Sequence, residues 1–187
     1  MTELIDITVK ELFSLEGNKF DSYNELLKNL NGKNTVAGIT GKDIYQLPFS
    51  SVSFLKEFIQ SPTLPGFISV YKLIFGIDEN IFLKMKSTDF YYSFNWIQNE
   101  IIELVEGEKR LESKPDEHWI AAGIERLNIF GELNTLINIG KQYSIPPQEV
   151  ENWSYNLVFT FALHNKIDGE INKKYSEIIN TPKNGNS

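Results

Sequence analysis

Residues 90–111, FYYSFNWIQNEIIELVEGEKRL, decide the fold class. Phe90, Phe94, Ile97, Ile101, Leu104 and Leu111 follow one another at helical spacing, which gathers them on one side of an α-helix. Glu100, Glu103 and Glu106 fall on the other side, where water solvates them. Glu108 interrupts the stripe beside Gly107, so the helix is expected to end or bend there.

The same periodicity runs outward in both directions. Downstream, Ser113-Lys114-Pro115-Asp116-Glu117 reads as a restart, with a cap, a proline in the first turn and acids at the positive helix end. The following helix is expected to turn Ile120, Ile124, Leu127 and Phe130 toward the core and to run to about Gly140. Helices over 146–166 and 168–179 complete that half. Upstream, Thr8-Val9-Lys10-Glu11 and Ser22-Tyr23-Asn24-Glu25 both match the capping box and predict helices at about 8–15 and 22–30. The segment 31–41, with Asn31-Gly32, Gly38 and Gly41, is a loop with room for a short strand. A helix near 42–60 follows, Pro62 and Pro65 mark a break, and helices over 65–75 and 78–86 lead into the stretch quoted above. Strand alternation is weak; Met1–Val9 would make at most a short edge strand.

An internal repeat overlies this pattern. Residues 39–52, ITGKDIYQLPFSSV, align without gaps on 145–158, IPPQEVENWSYNLV. A looser third copy is 77–85, IDENIFLKM, and Tyr23-Asn24-Glu25-Leu26 answers Phe130-Gly131-Glu132-Leu133 upstream. Ile, four residues, an apolar residue, two residues, then Leu, Met or Trp is the shared core. A turn, a polar cap and a pinned second helix account for such a unit physically. The expected architecture is all-α: a compact multi-helix domain of stacked helical hairpins. It would be one domain over 1–180 with repeat lobes at about 22–60 and 129–166, and a mobile tail at 181–187.

Composition bounds the function. The 187 residues are 41% hydrophobic and 13% aromatic, enough for a packed core. A chain of this length buries about 70% of the surface its unfolded form exposes. There is no cysteine, which removes disulfides, zinc fingers and thiol nucleophiles. The start, Met1–Asp6, has neither a basic run nor a long apolar stretch, so no secretion signal is expected. No stretch approaches the ~20 apolar residues of a membrane span. The net charge is −7, and only Arg110 and Arg126 are arginines among 18 basic residues. Nucleic-acid binding needs a basic stripe, so none is expected. From Glu100 to Glu125 acids dominate, as a solvated face or as a patch for a basic partner.

No constellation carries catalysis. His118 and His164 each lack a second histidine at metal-ligand spacing, and no nucleophile elbow supports a triad. Gly38-Ile39-Thr40-Gly41-Lys42-Asp43 departs from a phosphate loop, with Val36 where its first glycine belongs and Asp43 where a hydroxyl should be. Glu100, Glu103 and Glu106 point away from the apolar stripe and have no histidine partners for a di-metal bundle. No catalytic, cofactor or metal residue is therefore assigned, and the chain is read as a non-enzyme. Aromatics remain. The run 89–96 holds more rings than one buried face accommodates, so Tyr91, Tyr92 and Trp96, with Trp153 and Tyr155, are the expected interface residues.

The pattern Phe67-Ile68-Ser69-Val70-Tyr71-Lys72-Leu73-Ile74-Phe75-Gly76-Ile77-Asp78-Glu79, followed by Met85 and Asp89-Phe90, resembles small helical proteins from the tail modules of tailed bacteriophages, tail-assembly chaperone-like ones included. Ile145-Pro146-Pro147-Gln148-Glu149-Val150 with Trp153 and Tyr155 is similar to the same arrangement. The resemblance covers about residues 65–160 and rests on helix-turn-helix spacing. It implies a non-catalytic ring component of the neck or tail, or a tail-assembly chaperone. Partners would be other phage structural proteins and further copies of the chain. The location would be the host cytoplasm during assembly, or the virion. The alternative is a small acidic inhibitor or regulator that occupies a host protein.

Overall fold

The computed structural model describes residues 7–113 and 115–180. Lys114 and the tail 181–187 lie outside the described residues, as does most of the expected edge strand at Met1–Val9. The fold is all-α, with one two-stranded hairpin. The chain divides into two compact units, one ending at Gly107 and the other starting at Glu108.

In the first unit, helix α1 (Val9–Leu12) opens on the expected capping box: the Thr8 side chain accepts from the Glu11 amide, and the Glu11 carboxylate accepts from the Thr8 amide at 2.7 Å. Helix α2 spans Gly17–Leu27, starting five residues before Ser22. The second capping box is therefore not used; Ser22 sits inside the helix and its hydroxyl donates to the Asn18 carbonyl. Strands β1 (Thr35–Val36) and β2 (Ile39–Thr40) form a tight antiparallel hairpin whose turn holds Ala37 and Gly38 at positive φ. The helix expected over 42–60 is broken into a 3-10 turn at Ile44–Gln46 and helix α3, Phe49–Gln60, because Pro48 offers no amide to continue it.

Helix α4 (Leu64–Phe75) is capped by Thr63 and closed by Gly76 in the left-handed region. Helix α5 (Glu79–Lys84) leads into α6 (Ser87–Glu108), which stops at Gly107–Glu108 as its stripe predicts. Phe90, Ile97, Ile101 and Leu104 of that stripe are buried, and Glu103 and Glu106 are exposed. The core is aromatic: the Phe67 ring lies 4.9 Å from those of Phe58 and Phe94 and 5.0 Å from that of Phe90, mostly edge to face.

In the second unit, a 3-10 turn (Lys109–Leu111) precedes helix α7 (Glu117–Ala121), capped by Asp116 rather than Ser113. The single helix expected from there to Gly140 is cut twice. Gly123 at φ 84° ends α7, a seven-residue 3-10 segment covers Ile124–Phe130, and α8 (Leu133–Tyr143) starts after Gly131. Helix α9 (Pro147–Glu151) is followed by α10, Tyr155–Asn180, continuous through the break expected near residue 167. Leu136, Ile139, Val150, Tyr155 and Val158 are buried there, and the Tyr143, Trp153 and Phe161 rings pack together at 5.0–6.4 Å.

The three segments matched in sequence have similar local structure. Each is a short helix, two or three non-helical residues, then a long helix: α3, α6 or α10. At equivalent positions Ile44, Phe82 and Val150 are buried, as are Val52, Phe90 and Val158. Ahead of the second and third, Gly76 at φ 68° and Ser144 at φ 57° occupy the same position and close α4 and α8. The proposed match of Tyr23 with Phe130 does not extend to structure, since Tyr23 is buried in α2 and Phe130 is exposed in a 3-10 segment.

Candidate protein interface

The five aromatics singled out from sequence are placed by their neighbours. Tyr91 is buried and its hydroxyl donates to Asn24 Oδ1 at 3.2 Å. Tyr155 is likewise buried, donating to a Glu108 carboxylate oxygen at 2.8 Å. Neither offers a partner any surface. Tyr92, Trp96 and Trp153 are half-buried.

The crowding argument assumed that α6 has one covered face, and it has two. The segment after α2 lies along its second face: Asn95 Nδ2 donates to the Lys28 and Leu30 carbonyls at 3.1 and 2.8 Å, the Lys33 amide to the Tyr92 carbonyl at 2.8 Å, and the Lys33 ammonium stands 3.9 Å over the Tyr92 ring. Trp96 Nε1 donates to Glu100 at 2.9 Å.

The exposed apolar surface is found instead where the core was expected. Ile120, Leu127 and Phe130 are exposed, and Trp119 and Ile129 stand out at 62% and 82% exposure. Ile124 alone of the expected inward set is half-buried. Local geometry explains this outcome. A 3-10 helix has three residues per turn, so Ile124, Leu127 and Phe130 line up in one ridge. Runs of seven in this conformation are uncommon, because their hydrogen bonds are poorer than those of an α-helix. The segment is held by Gly123 and Gly131 at its ends and by Asn134 Nδ2, which donates to the Leu127 carbonyl at 2.6 Å. The ridge and Trp119 wall an open pocket of about 620 Å³, lined also by Gly123, Arg126 and Ile129.

Beside it, a more polar hollow of about 660 Å³ lies between residues 111–119 and α10. There the Lys166 ammonium donates to the Arg110 and Glu112 carbonyls at 2.6 and 2.8 Å, and Lys173 pairs with Asp116 at 3.2 Å. The His118 amide, followed by Lys173, holds the Asp116 carboxyl below its ordinary range. Of the acidic run, Asp116 is engaged within the chain by these contacts, and Glu103, Glu106, Glu112, Glu117 and Glu125 have exposed side chains.

Among the described residues no three histidine or acidic side chains converge on a metal-sized space, and no helix is long and apolar enough to cross a membrane. The open pocket has an apolar lining with one cation at its edge. Its chemistry suits burial of another protein's apolar side chains. Sequence periodicity alone hid this surface, because the residues are spaced correctly for a buried helix. The two glycines that cut that helix were the available signal.

Comparison with models of known families, with curated proteins and with solved structures returns no match.

Proposed function

We propose that this chain is a non-catalytic structural or assembly protein of the tail or neck of a bacteriophage, working through protein–protein contacts. The observation that carries the contact part is the exposure of Trp119, Leu127, Ile129 and Phe130 around an open pocket. Contiguous apolar surface of this kind is held in water at a cost and marks interaction sites. The phage assignment rests on the sequence resemblance over residues 65–160. A partner presenting an apolar helix suits the pocket, as an anchor residue in a desolvated hollow contributes most of an interface's energy.

The test is co-isolation from infected cells with identification of the bound protein. A phage tail or neck protein, or recovery of the chain in particles, is the expected result, and Trp119→Asp is expected to abolish it while leaving the helical circular dichroism intact. Capture of a host factor with no phage protein bound would overturn the reading. That result would favour the acidic inhibitor, to which the exposed Glu112, Glu117 and Glu125 of the second unit would contribute.

A further inference from the structure

Asn31 and Gly32 form an Asn-Gly step; the chain's other one, Asn184-Gly185, lies outside the described residues. Both Asn31 and Gly32 are exposed, in irregular backbone between α2 and β1. Neither the Asn31 carboxamide nor the Gly32 amide has a hydrogen-bond partner among the described residues. No such contact holds the carboxamide away from the nitrogen that follows it, and glycine has no Cβ to hinder their approach.

We propose that this step is a spontaneous modification site, at which Asn31 becomes isoaspartate and the conversion releases the segment before β1 from α6. Hydroxide removes the Gly32 amide proton, and the nitrogen attacks Asn31 Cγ. The new N–Cγ bond closes a succinimide ring as the Cγ–Nδ2 bond breaks, and Nδ2 leaves as ammonia after taking a proton from water. A water molecule then opens the ring at one of its two carbonyls. Opening at the side-chain carbonyl gives aspartate at position 31. Opening at the main-chain carbonyl gives isoaspartate, whose chain runs through Cβ and Cγ and whose former main-chain carbonyl is a free carboxylate.

The neighbours give that extra main-chain atom its effect. On one side the Leu30 carbonyl accepts from Asn95 Nδ2 at 2.8 Å, and on the other the Lys33 amide donates to the Tyr92 carbonyl at 2.8 Å. Between these two pins Gly32 lies so close to α6 that a Cβ on it would come within 2.7 Å of Trp96 Cα. One added carbon lengthens the path between the pins by about 1.5 Å. Hydrogen bonds stretched beyond about 3.2 Å are weak, so both pins and the Gly32 contact cannot persist together. The exposed Lys33 end gives way, and its ammonium leaves the Tyr92 ring with it.

Incubating the full chain at mildly alkaline pH tests this against a zero-time sample. Trypsin releases residues 29–33, in which Asn29 precedes Leu30 and serves as an internal control. Fragmentation mass spectrometry is expected to find isoaspartate at position 31, formed faster as pH rises, with Asn29 intact. In the converted fraction the Lys33 amide is expected to exchange about tenfold faster, the factor that loss of one net hydrogen bond gives. Asn31→Gln, whose longer side chain closes a ring far more slowly, is expected to stay unconverted and to keep the slow exchange. Asn31→Asp, measured before incubation, adds the charge without lengthening the chain and is expected to exchange as the unmodified protein does. Asn31 that survives in the folded chain but converts in urea would show that the fold protects it and would overturn the proposal. Conversion with unchanged Lys33 exchange, or Asn31→Asp accelerating that exchange as much as isoaspartate does, would overturn the release.

Discussion

Gly32 lies directly against the backbone of Trp96: a Cβ on Gly32 would come within 2.7 Å of Trp96 Cα and 2.8 Å of its amide nitrogen. The contact is what lets the segment after α2 close over the second face of α6. Gly32→Ala is expected to force that segment away and to destabilise the protein by about 1–3 kcal/mol, the usual range for overpacking. The midpoint of urea unfolding measures it, and an unchanged midpoint would show that the segment can shift at no cost.

Gly76 poses the opposite case. It sits at φ 68° with open space where a Cβ would go. Gly76→Ala therefore introduces backbone strain without a clash, with an expected loss of about 1 kcal/mol. The equivalent Ser144 already bears that strain at φ 57°. Ser144→Gly is expected to change stability by no more than a few tenths of a kcal/mol, because relief of strain is offset by the greater freedom of glycine in the unfolded chain. A loss as large as that of Gly76→Ala would show that the Ser144 side chain itself stabilises the turn.

Tyr71 is wholly buried beneath α6, its hydroxyl donating to the Phe90 carbonyl at 2.9 Å and lying 2.6 Å from Ser93 Oγ. Burial raises its phenol pKa strongly, and burial likewise pushes Tyr91 up to about 12. A raised phenol pKa means that the unfolded chain loses its proton first. Stability is therefore expected to be flat below the ordinary tyrosine value of about 10 and to fall as pH rises above it. Urea midpoints at pH 8, 9.5 and 11 check the sign. Tyr71→Phe is expected to reduce stability by about 1 kcal/mol at pH 8, the net value of a hydrogen bond, and to make the alkaline decline shallower.

Trp119 gives a prediction of no effect. A side chain that is 62% exposed contributes little to folding, so Trp119→Asp is expected to shift stability by less than about 0.5 kcal/mol. A loss of several kcal/mol, of the size seen when a core aromatic is removed, would place Trp119 in the core and remove the candidate interface.

The parts of the fold legible in the sequence were those governed by residues close together. The α6 stripe, the Thr8–Glu11 cap, the helix over 65–75 and the loop over 31–41 all follow from local chemistry. Readings failed where a distant segment, or a helix breaker inside an apolar period, decided the outcome. Tyr91 was expected at the surface because nothing in residues 89–96 reveals that Asn24 of α2 meets its hydroxyl and that residues 28–33 lie along Tyr92 and Asn95. Ile120, Leu127 and Phe130 have the spacing of a buried helix. Their exposure follows from the left-handed Gly123 and from Gly131, whose effect on the helix outweighs the apolar period. The candidate interface was accordingly sought in the right kind of residue and on the wrong helix.

The uncovered end of α10 has a consequence in time. Val158, near its start, is fully buried, while from Ile167 onward no side chain is buried, so opening costs rise toward the N-terminal end. Amide hydrogens in a lone chain would exchange in a graded series, fastest near Asn180 and slowest near Val158. Any cover laid on the exposed end of α10 would flatten that gradient, making the exchange rates along one helix a clock that reports when the chain is alone.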